Sequence, residues 1–192
     1  LDLNSFYRNI DSWKSTKLVV VGDTILDQYT LCDPIGMSAE APVIVIKEIE
    51  SRNFIGGAAI VASHVKSLGA NCTFISVTGD DDVSKFASKE LKKNHITTDM
   101  VIDYSRPTTY KTRFTVEHQK LCRVSRLNES SVSEEIEGEI IRKIHRAASH
   151  VDGIIISDFG YGCVTDAVLS AVLDVSKKYN LLLFGDVQCS SQ

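Results

Sequence analysis

No stretch of this sequence stays apolar for the roughly 18 residues that a membrane-spanning helix needs, so no membrane span is expected. The first residues, LDLNSFYRNIDSWKSTK, carry charges and no apolar signal core, so the expected location is cytoplasmic. No GxxxxGK followed by Ser or Thr is present, which excludes a P-loop, and no GxGxxG follows Val21, which disfavours a dinucleotide site. The five cysteines, at 32, 72, 122, 163 and 189, form no CxxC pair. Neither a zinc site nor a disulfide framework is favoured, and they read as reduced thiols, mostly packing groups. His64, His95, His118, His145 and His150 are scattered, with no metal-ligand spacing. The net charge is only −4 and no basic stripe dominates, so no nucleic-acid partner is expected.

What is there is an ordinary globular composition, 43% hydrophobic and 24% charged over 192 residues, enough for one domain. Residues 1–16 read as an amphipathic lead-in with Phe6, Ile10 and Trp13 on one side. KLVVVG (17–22), CTFISVTG (72–79), VDGIIISDFG (151–160) and LLLFGDVQ (181–188) are apolar runs of the kind that form buried strands. Helices are predicted at 58–68, at 80–94 with acids first and lysines last, from Ser133 to Ala148 with Ser133 as N-cap, and from Thr165 to Tyr179. Strands alternating with helices argue an α/β fold with a mostly parallel sheet. Two β-rich segments break the alternation. Around 28–50, two β pieces flank a loop holding Pro34, Gly36 and Pro42. Within 108–127, a hairpin is predicted to turn near Glu117–Lys120. Together they suggest a small sheet standing apart, in the manner of a lid.

Ligands of open α/β sheets bind beyond the carboxyl ends of the strands. The first strand runs into GDTILD, so Asp23 and Asp27 are candidate acceptors for sugar hydroxyls, or else turn residues. Gly56-Gly57 stands at a helix start, where bare backbone N–H groups suit a polar ligand; the alternative is tight helix–strand packing. Asp158 closes another strand and either orients a ligand or caps its turn. Lys111 and Arg113, two apart on one strand face, are suited to neutralising a phosphate; the alternative is a solvated edge strand. Arg123 and Arg126, three apart, are expected to face opposite sides.

In order, VVVGDTILDQY, SAEAPVIVIK, GGAAIVASHVKSLGA, VTGDDD and IIISDFGYG resemble the PfkB/ribokinase-like carbohydrate kinases, and within them the bacterial heptose-7-phosphate kinases. The resemblance covers about residues 17–188. It implies a three-layer α/β/α sandwich with a small β-lid, ATP and Mg²⁺ as cofactors, a sugar phosphate substrate and a homodimer formed through the lid. It also implies that Asp27 binds sugar hydroxyls and that Gly56 and Gly57 let the sugar approach the helix. Two departures stand out. The family pattern places asparagine where this sequence has Ile60. The family's GAGD motif, whose aspartate is the catalytic base, does not occur, so the base is expected beyond Gln192. Residues 17–192 are accordingly expected to be an incomplete, N-terminal sugar-kinase portion, inactive alone. The competing expectation is a non-catalytic module for sugar-phosphate binding or oligomerisation.

Overall fold

The structure, a computed structural model, describes residues 10–117 and 119–188. Phe6 and most of the lead-in, His118 and Cys189 lie outside the described residues. The central sheet has the order β11-β10-β1-β4-β6, and every pairing in it is parallel. Its strands are β1 (Lys17–Gly22), β4 (Asn71–Ile75), β6 (Thr97–Thr98), β10 (Gly153–Asp158) and β11 (Leu182–Val187). A two-stranded parallel pair, β5 (Val77–Thr78) with β7 (Val101–Ile102), continues the line of β4 and β6.

Four helices cover the sheet: α1 (Ala58–Ser67), α2 (Asp82–Lys93), α3 (Glu134–Ala148) and α4 (Asp166–Tyr179). Alternation along β1 sends Val19 and Val21 into a core with Ile140, Ile144, Val168 and Val172 of α3 and α4. Val20 points the other way, into a second core with Ala58, Ala62 and Val65 of α1 and Leu91 of α2. A strand buried on both faces reads as a continuous apolar run, which is why VVV was legible. This is the expected three-layer α/β/α sandwich. Side-chain caps start three of the helices: Asp81 accepts from the Ser84 N–H at 2.8 Å, Ser133 from that of Ile136 at 3.4 Å, and Thr165 from that of Val168 at 3.2 Å.

A separate four-stranded sheet, β3-β2-β8-β9, forms the lid. It comprises β2 (Thr24–Met37), β3 (Ile44–Gly57), β8 (Thr109–Val116) and β9 (Gln119–Arg126). The chain leaves the central sheet at Gly22 and enters the lid at Thr24, so one residue, Asp23, joins the two. The predicted hairpin is β8–β9, with Glu117 at φ 52 in its turn.

Three expectations need correction. The loop placed around Pro34 and Gly36 is strand: β2 runs through both, with register shifts at Leu31/Cys32 and Pro34/Gly36. Pairing of β2 with β8 stops at Cys32, so Pro34 sits where only one neighbour remains and a missing N–H is tolerated. The strand expected over 72–79 breaks at Ser76, whose hydroxyl turns inward and bonds the Gly22 carbonyl at 2.6 Å. Of the last apolar run, expected to be buried, only Leu181 packs against the core; β11 is exposed along its whole length, with Leu182 at 63% and Phe184 at 53%. β11 is the outer strand of the sheet, and neither core cluster extends over its side chains.

Candidate functional site at the lid and strand ends

Asp23 begins the site because it closes β1 and touches everything around it. Its Oδ2 accepts the N–H groups of Phe159 and Tyr161 at 2.8 and 3.3 Å, and its Oδ1 accepts that of Cys163 at 3.2 Å. The carboxylate therefore shapes the loop after β10 and is 2% exposed. Burial pushes its pKa up; the three N–H groups oppose this, and the nearby Asp158 charge adds to it. A carboxylate so occupied is not free for a sugar hydroxyl, and of the two acids in GDTILD only Asp27 remains a candidate acceptor.

Asp27 lies on β2. Its register partner on β8 is Lys111, and Arg113 pairs with it through Nη1 and Oδ1. Lys111 is 8% exposed, with its Nζ 4.7 Å from the centroid of the Tyr161 ring. The solvated-edge alternative for these two cations fails, because β8 is an interior strand of the lid, flanked by β2 and β9. Arg123 is the register partner of Arg113 and shares its face, whereas Arg126 pairs with Tyr110 and stacks on that ring at 5.6 Å, so the two arginines do face opposite ways.

The glycine pair serves packing in this structure. A β-carbon on Gly56 would stand 2.4 Å from Asp27 Oδ2, so the bare position admits that carboxylate. Gly57 has φ +59, and a β-carbon there would stand 2.5 Å from the Asp23 carbonyl oxygen. That same oxygen accepts the Ala58 N–H at 2.9 Å and so takes the first donor of α1. Asp158 accepts the Gly160 N–H at 2.9 Å, the turn-capping arrangement. The structure thus brings Asp27, Gly56, Lys111 and Arg113 together, with Asp158 and Gly57 reaching the group through the Tyr161 loop and Asp23.

Two residues escaped the sequence reading. Tyr161 was visible only as a letter within SDFGYG; nothing local marks its ring as the support for Lys111. Arg106 ties the lid's roots. It pairs with Asp103 at 2.8 Å, donates to the Tyr161 carbonyl, and donates to those of Ser130 and Ser131, each at 3.1 Å. Asp103 is held below the ordinary carboxylate range: burial opposes ionisation, but Ser105 and Arg106 outweigh it. These contacts span up to 55 residues of sequence, a separation that no motif encodes. Among the described residues, no cluster of three or more His, Cys, Asp or Glu side chains could hold a metal ion, so no residue is assigned to Mg²⁺.

Comparison with known proteins agrees with this fold. The chain is 33% identical over 176 residues to the bifunctional protein HldE of Campylobacter jejuni, covering 91% of this chain and 36% of that protein. It is 31% identical over 179 residues to the HldE of Rhodopseudomonas palustris, again covering 36% of it. The chain thus spans about a third of the length of these curated relatives. Among solved structures, Escherichia coli phosphofructokinase-2 with substrates and products superposes with a TM-score of 0.71 at 15% identity, over 90% of this chain and 54% of that one. A carbohydrate kinase from Agrobacterium tumefaciens superposes with a TM-score of 0.65 at 13% identity, over 88% and 53%. These two likenesses speak to the fold, which is ribokinase-like. The family model for pfkB family carbohydrate kinases matches residues 15–171, from the start of the central sheet into α4, and the chain belongs to that family.

Proposed function

We propose that this chain is the sugar-binding and lid portion of an ATP-dependent sugar-phosphate kinase, with heptose 7-phosphate as the substrate. The observation that carries the reading is one lid face on which Asp27 can accept sugar hydroxyls while Lys111 and Arg113 meet a phosphate. The HldE relatives and the sequence motifs support a heptose, and phosphofructokinase-2 has been solved in complex with fructose-6-phosphate. The reaction would be in-line transfer of the ATP γ-phosphoryl to a sugar hydroxyl. Asp27 would orient the sugar, Lys111 and Arg113 would fix its phosphate end, and the Tyr161 loop would hold Lys111 in place. Asp158, Gly56 and Gly57 shape the floor of the same site. The hydroxyl proton needs an aspartate base, which the absent GAGD motif would supply. The 192 residues are therefore proposed to bind sugar phosphate without phosphorylating it.

The lid is also proposed as the contact between two copies of the chain. Its outer half presents Ile35, Met37, Val43, Ile44 and Ile49, and Ile44 is 65% exposed. An Ile44→Asp variant that sediments as the wild type does would remove that reading.

Thermal unfolding with heptose 7-phosphate, other sugar phosphates and Mg·ATP tests the function. Saturation at 100 times Kd stabilises a native state by about 2.7 kcal/mol, a midpoint rise of several degrees at this size. A rise with a sugar phosphate is expected and none with any sugar phosphate is the contrary result. Turnover by this chain alone would refute the claim of inactivity.

A further inference from the structure

The group best placed to bind sugar hydroxyls is only half open to them, because Arg113 holds one of its two carboxylate oxygens. Asp27 Oδ1 is paired with Arg113 Nη1, and both side chains are only about a fifth exposed, at 21% and 20%. The arginine is held from a second side. Its guanidinium carbon stands 5.3 Å from the centroid of Tyr29, its register partner on β2. Tyr29 is braced in turn by an edge-on contact with Phe54 at 5.8 Å between centroids. Gly56 leaves the space in which the Asp27 carboxylate sits.

A neutral sugar hydroxyl competes poorly for this carboxylate. Its bond to the carboxylate joins a neutral donor to an ion, whereas the bond Arg113 makes joins two ions, and displacing it would leave the part-buried guanidinium unpaired. A phosphate dianion competes differently, because it takes the guanidinium rather than the carboxylate, and the planar fork of arginine matches its oxygens. The local charges favour that exchange. Lys111 and Arg123 are the register neighbours of Asp27 and Arg113, and Arg52, across from Tyr29 on the same face, is already paired with Glu50, so positive charge is in excess around Asp27.

We propose that Arg113 is a latch on Asp27 that a substrate phosphate releases. The phosphate end of the sugar draws the guanidinium away from Asp27, and the freed carboxylate then accepts the sugar hydroxyls. Arg113 is thereby a specificity-determining residue. A sugar without a phosphate meets an occupied Asp27 and is rejected for that reason as well as for the phosphate contacts it lacks. The inference rests on the sugar-phosphate reading above and adds a testable asymmetry to it.

Calorimetric titration of the chain with heptose 7-phosphate and with unphosphorylated heptose reads that asymmetry. The wild type is expected to prefer the phosphorylated sugar by about 100-fold or more, the scale of one charge-assisted contact. In Arg113→Gln, heptose 7-phosphate should weaken while unphosphorylated heptose should tighten by about tenfold, because Asp27 is now free. Arg113→Lys, which keeps the charge but pairs less firmly, should fall between and guards against a misfolded glutamine variant. If both variants lose the phosphorylated sugar and gain nothing for the free one, Arg113 is a plain phosphate contact and the latch is wrong. A wild type that binds both sugars equally also overturns the latch but leaves the kinase reading intact. A wild type that binds neither overturns both.

Discussion

Gly56 and Asp27 are packed so closely that the carboxylate occupies the space a side chain at 56 would fill: a β-carbon there would stand 2.4 Å from Asp27 Oδ2. The atom in the way is the tip of a side chain, not backbone. Gly56→Ala should therefore turn Asp27 aside, at the cost of its part-buried pairing with Arg113 and not of the backbone. We expect the urea midpoint to move by about 1 kcal/mol in equivalent stability, the typical size of a single substitution. Sugar-phosphate affinity should fall about tenfold or more, the loss of one hydrogen bond to a charged acceptor. A binding isotherm unchanged in Gly56→Ala would separate Asp27 from the sugar site.

The neighbouring glycine should behave in the opposite way. Gly57 has φ +59, and its missing β-carbon would meet the backbone oxygen of Asp23 at 2.5 Å and Ile25 Cγ1 at 2.9 Å. Neither the dihedral nor the carbonyl can yield cheaply, since that oxygen also holds the Ala58 N–H. Gly57→Ala should lower stability by about 2–4 kcal/mol, combining left-handed strain with overpacking. Chemical denaturation of the two alanine variants side by side measures the contrast; equal losses would contradict it.

The same pair shows how far the sequence could be read. Two adjacent glycines before a helix announced a place where backbone must come close, but not which backbone or carboxylate approaches it. The central strands were legible because burial on both faces leaves an uninterrupted apolar run, as in Val19 to Val21. The same signal misled at Leu182 to Val187, because apolar composition reports what a strand could bury and not whether anything lies over it. Lys111 and Arg113 were visible as cations on one face. That they are held by Tyr161 and Asp27 depends on β2 lying beside β8, a pairing across more than 80 residues. Asp23 looked like a second sugar acceptor, and only its three backbone donors show that it organises the loop instead.

Ile60 is open to a direct gain-of-function test. It lies in the first turn of α1, is half-buried, and belongs to neither hydrophobic core cluster. Its replacement by a polar residue should therefore cost little stability. The resemblance places a sugar-binding asparagine at this position, so Ile60→Asn should strengthen sugar-phosphate binding by about fivefold, the net worth of one hydrogen bond. Calorimetry on the variant decides the matter. Weaker or unchanged binding would mean that position 60 faces something other than the sugar in this chain.

The buried acids predict a pH dependence with two opposed limbs. The Asp23 carboxyl lies above its ordinary value of 3.8, first because it is buried. Between 3.8 and its folded value the native state holds the proton more tightly than the unfolded chain does. Its contribution to stability therefore falls as pH rises through that window. Asp81, Asp99 and Asp103 lie below 3.8: burial opposes their ionisation but is outweighed, respectively, by Ser84 and Thr108, by Lys143 and Arg146, and by Ser105 and Arg106. Their contribution is fully present above 3.8 and is lost as pH falls through their folded values. Asp23→Asn isolates the first limb. Its amide nitrogen must face at least one of the three N–H donors, so the variant should be less stable by about 1–3 kcal/mol at neutral pH. The gap to the wild type should widen as pH falls towards 4, because only the wild type gains from protonating Asp23, while both share the collapse below 3.8. Urea midpoints measured from pH 7 to pH 3 give the difference directly, and a gap that stays constant across that range would show that Asp23 titrates alike in the folded and unfolded chain.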